Sequence, residues 1–171
     1  MFRAVRFLAP ACLACLSLTA TAVAAPVRAN PKANGQVSLV KPLTLQRQAD
    51  MDFGSLAVTT GGTATIDPRT GQMTLTGGLT QVGGQPSPAR YIGAADRLSL
   101  IVIRNLTPSI SLQRLGGTET LTLNGFTLDG PSIRIVGTRP FEFAVGGRLT
   151  VPAGTVDGLY TGEINITAEY F

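Results

Sequence analysis

Every second residue is apolar through runs such as "TATI", "MTLTG", "SISLQRL" and "ETLTL". That is the period of a strand with one buried face. No window holds the spacing of a helix, and Gly, Pro, Asn and Asp break the runs at short intervals. Thr, Val, Leu and Ile dominate these runs while Lys is scarce, a usage that favours strands. About eleven short strands joined by tight turns make an all-β sandwich or barrel. The sandwich is preferred: "LSLIVI" is continuously apolar, as a central strand covered on both faces is, whereas other runs alternate.

The first residues follow a different pattern. Arg3 and Arg6 precede the apolar stretch "FLAPACLACLSLTA", and small residues at Ala22 and Ala24 suit a cut before Ala25. This is the layout of a secretory signal peptide over 1–24. As a membrane anchor the stretch is short and contains Pro10. A lipoprotein would use Cys12 or Cys15, but neither sits in a suitable lipidation motif. The expectation is export to the periplasm, the cell surface or a fimbrium.

Removing the signal removes both cysteines, so no disulfide is available to the remaining chain. Taking Arg3 and Arg6 from the fourteen basic residues leaves twelve against ten acidic ones. The arginines are scattered singly, which does not make a nucleic-acid-binding face. About 147 residues remain, enough for one domain with a sizeable core. Residues 25–36, "APVRANPKANGQ", read as an extended tail, and 37–171 as a single sandwich domain. The first strand candidate is "VSLVKPLTLQ", with Val37, Leu39, Leu43 and Leu45 on one side. Pro42 limits it to an edge or an interrupted strand. "TATIDPRTGQMTLTG" reads as a hairpin turning at Asp-Pro-Arg-Thr-Gly.

Catalytic chemistry finds little to work with. The chain has no histidine at all, and zinc or transition metals want His or Cys. A Ser nucleophile would lack its usual base, and only Lys32 and Lys41 remain as lysines. The carboxylates are isolated in sequence, and Asp67 and Asp157 look like turn formers. "DPRTG" has too few oxygen ligands for a calcium loop, and the Gly-Gly pairs lack the Lys-Ser/Thr of a phosphate loop. The expectation is a non-enzymatic protein without metal or small-molecule cofactor.

The closing stretch "DGLYTGEINITAEYF" keeps the strand period, with Tyr160, Gly162, Ile164, Ile166, Ala168 and Tyr170 on one side. Together with "DFGSLAV", "TIDPRTGQMTLTGG" and "FEFAVGGRLTVPAG", it resembles the family of exported bacterial β domains known as domain of unknown function 4402. That family is more distantly similar to spore-coat-U-type and other fimbrial subunits assembled by chaperone and usher. The resemblance implies an immunoglobulin-like, pilus-subunit-like sandwich that can lack one strand, the gap being filled by a neighbour's N-terminal segment. It also implies an assembly edge at Gly158, Tyr160, Ile164, Ile166 and Tyr170. Gly158 stands fourteenth from the end and Tyr170 is penultimate, as in those subunits.

Two readings follow. In the first, the chain is an exported structural or adhesion subunit of a fimbrial type. Its partners are sister subunits, or further copies of itself through strand pairing, with a periplasmic chaperone and an outer-membrane usher. In the second, it is a self-sufficient, monomeric binding domain, since a strand closing a complete sandwich needs the same alternation. Residues 37–45 would be the donor segment in the first reading and the domain's own first strand in the second.

Overall fold

The computed structural model describes residues 35–171, with the exception of 40 and 106. The expected signal at 1–24 and the tail up to residue 34 lie outside the described residues. The chain separates into two units, Met1–Ser38 and Leu39–Phe171, and all the strands of the described residues lie in the second. The first of them, β1 (Thr44–Ala49), begins just beyond Pro42, which has no N–H to give a ladder. The expected strand therefore loses its first half. Leu43 and Leu45 pack on a core, while Val37 and Leu39 are 83% and 89% exposed.

The largest piece is the hairpin of β2 (Ser55–Ile66) and β3 (Met73–Gly83). Asp67 makes its turn by accepting from the backbone N–H of Arg69 at 2.7 Å and of Thr70 at 3.1 Å. Those N–H groups hold its carboxyl below the usual aspartate range. Halfway along, Val58 faces Leu79 while Gly62 faces Gly77, so β2 carries a bulge there. A Cβ on Gly62 or Gly77 would run into the backbone of the opposite strand. The hairpin bends at this point, and its outer half brings Leu56 and Leu79 onto a core.

The central strand is β9 (Phe141–Val151). One of its edges pairs with β4 (Ala89–Ala94) up to Val145 and then with β2 from Gly147 onward. Gly146 sits at the changeover, where a Cβ would collide with the Ile66 carbonyl and lie 2.6 Å from Pro68 Cδ. The opposite edge pairs with β7 (Thr120–Leu128), which bulges at Gly125 and Phe126 beside the same point. The sheet continues through β6 (Ser109–Arg114) to β10 (Tyr160–Thr161), while β1 extends it beyond β4.

A second sheet holds β5 (Leu100–Asn105) between β11 (Ile166–Tyr170) and β8 (Ile133–Ile135). The structure is thus all-β, with one eight-stranded, curled sheet and one three-stranded sheet, an incomplete sandwich. "LSLIVI" is central, as its composition predicts. Arg134 on β8 clasps the layers together, donating to Asp129 Oδ1 at 2.6 Å and to the Glu142 carbonyl at 2.9 Å. Its guanidinium also lies 5.7 Å from the Phe143 ring centroid.

The apolar interior forms two clusters. One gathers Tyr91, Ile101, Ile103, Val136, Phe143 and Val145 between the sheets. The other gathers Phe53, Ile66, Leu112, Leu121, Leu123 and Leu149 against the remainder of the large sheet. Replacing Gly146 by Ala is expected to cost about 2–3 kcal/mol through overpacking. Gly137→Ala, with nothing within 4 Å of its Cβ position, is expected to stay within about 0.5 kcal/mol. Urea unfolding of the two variants checks both.

Candidate functional site

The two clusters are roofed unequally. The three-stranded sheet lies over the first, but the second is flanked by two stretches, 50–58 at the start of β2 and 155–165 around the short β10, with a cleft between them. Its volume is about 1030 Å³, and Leu112, Leu121, Leu123, Leu149 and Val151 form its floor.

The first wall is fixed by Asp-Phe-Gly. Asp52 exchanges backbone hydrogen bonds with Ser87 at 2.9 and 2.8 Å, and its carboxylate accepts from Gly54 N–H at 2.7 Å. Phe53 is thereby pushed into the core. Gly54 has φ +68°, and a Cβ there would stand 2.7 Å from the Gly83 carbonyl, so glycine is required.

The second wall is the C-terminal segment, and it departs from the expected single strand. β10 pairs with β6, whereas β11 pairs with β5 in the other sheet. Residues 162–165 cross between the sheets outside any strand. Gly162 permits the crossing, since a Cβ would lie 2.7 Å from Leu112 Cδ2 and 3.0 Å from the Ser111 carbonyl. Tyr160 braces the approach by donating to the Val156 carbonyl at 2.7 Å.

The residues singled out from sequence therefore divide. Gly158, Tyr160 and Ile164 line the cleft. Ile166 and Tyr170 pack on the other cluster, beside Leu43 and Leu45. The Tyr170 hydroxyl donates to the Lys41 carbonyl at 2.6 Å and accepts from Asp96 N–H at 2.9 Å. It ties the approach to β1, the approach to β5 and β11 at one atom. The wall at 50–58 was not singled out as part of a site, although Asp-Phe-Gly marks it.

The match with known families follows this same frame. Residues 43–170 match the family Domain of unknown function (DUF4402), from the residue before β1 to the last residue of β11. The chain belongs to that family. No curated protein matches the chain, and no solved structure matches it. The DUF4402 match takes in both cleft walls and leaves out Val37 and Leu39. Among the described residues, no group of three or more His, Cys, Asp or Glu is placed to hold a metal ion. The cleft offers apolar surface with acidic side chains at its rim: Asp50, Asp52, Asp157 and Glu163. Asp50 is paired with Arg47.

Behind Gly158, Arg114 donates to Glu119 Oε2 at 2.7 Å. That bond holds the Glu119 carboxyl below the usual range and raises the Arg114 guanidinium. A depressed carboxyl binds fewer protons in the folded than in the unfolded state. Its stabilisation is therefore complete above the ordinary glutamate range and fades as pH falls through the lowered value. Glu119→Gln is expected to lower the thermal midpoint at neutral pH, and melting curves taken at progressively lower pH should show the gap to wild type closing. Tyr170→Phe removes both hydroxyl bonds while keeping the ring. It is expected to cost about 1–2 kcal/mol in urea unfolding.

Proposed function

We propose that this DUF4402 domain is a non-enzymatic, exported structural or adhesion subunit that assembles by β-strand exchange, a neighbour's strand filling the cleft. The observation that carries this reading is the unequal roof. One core has a three-stranded cover, and the other has two walls with an open cleft of about 1030 Å³ above an apolar floor. An added strand would fill that cleft by β-augmentation, with its backbone joining ladders and its alternate side chains meeting the floor.

The donor in this reading is the segment ahead of β1 in a sister subunit. Val37 and Leu39 alternate and are exposed. No acidic residue precedes Asp50, whereas Arg28, Lys32 and Lys41 fall in the stretch from 25 onward. A basic, alternating segment suits a cleft with an acidic rim. A periplasmic chaperone would shield the cleft before assembly, and an outer-membrane usher would exchange it for the donor.

A second reading is favoured by the size of the cleft. At about 1030 Å³ it stands near the upper end of the range for small-molecule pockets, so a self-sufficient monomeric domain could hold an apolar ligand there. Both readings are tested with the full chain and a Val37→Asp/Leu39→Asp variant, whose changed residues are exposed and outside every strand. In strand exchange, wild type forms ladders on unheated gels and the variant does not, while their melting temperatures agree. Wild type that never forms ladders would leave the monomeric binding domain as the function.

A further inference from the structure

Beyond the stretch it shares with β9, β2 keeps a bare edge. β9 pairs with β2 from Ile66 back to Gly62 and no further. Pro152, which has no N–H for a ladder, comes next. The Thr155 hydroxyl donates to the Pro152 carbonyl at 2.7 Å. The chain turns off beside Gly61, where a Cβ would stand 2.8 Å from Ala153 N. β2 extends past that point to Ser55. Over residues 55–60 its one ladder partner among the described residues is β3, so the edge turned from β3 carries unpaired backbone groups.

The side chains do not guard this edge. Edge strands are ordinarily blunted by a charge, a proline or brevity. β1 carries Arg47, β8 Arg134 and β11 Glu169, and β10 is two residues long. Residues 55–60, Ser-Leu-Ala-Val-Thr-Thr, hold neither charge nor proline. The outer edge of β3 is as free of charge, but no β3 residue lines the cleft, whereas Ser55, Leu56 and Val58 do. The bare edge of β2 is therefore the one that meets the apolar floor.

We propose that residues 55–60 of β2 are the acceptor edge for the incoming strand, which takes the line that β9 leaves at Pro152. Given strand exchange, on which this assignment rests, β2 is the wall that supplies the ladder. The opposite wall offers less, since β10 is already paired with β6 over its two residues and 162–165 lie outside any strand. An edge of roughly six residues spans about 20 Å, enough for the segment ahead of β1 in a sister copy. Alternate side chains of that segment join the cluster beside Leu56 and Val151. Of the acidic groups at the rim, Asp50 alone is in an ion pair among the described residues. Asp52, Asp157 and Glu163 thus suit a basic donor.

Hydrogen exchange of the full chain, followed by mass spectrometry on monomer and on isolated ladders, tests the assignment. In ladders the amides of residues 55–60 should exchange at least about tenfold more slowly than in the monomer, while those of β10 keep their rates. Val58→Lys sets a charge on the acceptor edge and should abolish ladders. Val82→Lys on β3, exposed and outside the cleft, should leave them intact. The exchange comparison uses wild type alone, so it decides the matter even where Val58→Lys fails to fold. Ladders whose residues 55–60 exchange as in the monomer, or that gain protection at 159–165 instead, overturn this edge and leave strand exchange standing. Ladders that persist in Val58→Lys overturn it as well. Wild type without ladders overturns strand exchange and the acceptor edge together.

Discussion

The pairing of β9 along both its edges holds this structure together. One edge runs unbroken against β7, apart from the bulge at Gly125 and Phe126, while the other divides between β4 and β2. The division creates two diverging wings and hence two apolar clusters instead of one. Each wing then needs its own roof, and the roofs differ. One is a regular sheet clasped by Arg134, the other a pair of flanking stretches pinned by Asp52 and Tyr160. The cleft is a consequence of where Gly146 lets β9 change partner.

Much of the strand content is legible in the sequence, because most segments obey the two-residue period. The hairpin turn at Asp67 is also legible, since Asp-Pro-Arg-Thr-Gly encodes its own hydrogen bonds. Glycine pairs are where reading fails. The Gly-Gly pair in "FEFAVGGRLTV" would end a strand on composition alone, yet β9 runs straight through it, and β3 likewise runs through Gly77 and Gly78. Glycine breaks a propensity pattern whether the chain stops or merely comes close to another backbone. Only the tertiary contact at Ile66 or Gly61 distinguishes the two cases.

The same limit applies to the candidate site. Alternation across 160–170 is real, yet it serves two sheets, because a side chain's inward direction does not say which core it enters. Gly158, Tyr160 and Ile164 reach the cleft, whereas Ile166 and Tyr170 reach the other cluster. The Asp-Phe-Gly wall was visible as a motif, but its role depends on a bridge to Ser87, thirty-odd residues away in sequence.

The Tyr170 hydroxyl joins residues 129 positions apart, and the strands it secures depend on that closure. Apart from the β2–β3 and β6–β7 hairpins, the pairings that define the two sheets join strands that are not consecutive along the chain. Chains with such topology fold slowly, because loop entropy must be overcome before distant strands reward it. The closure between Lys41 and Tyr170 spans nearly all of the described residues, so its loop entropy is high. Until distant strands pair, the floors of both clusters face solvent, and the described residues contain no cysteine to cross-link them. Slow closure lengthens the time for which this apolar surface is open to other chains.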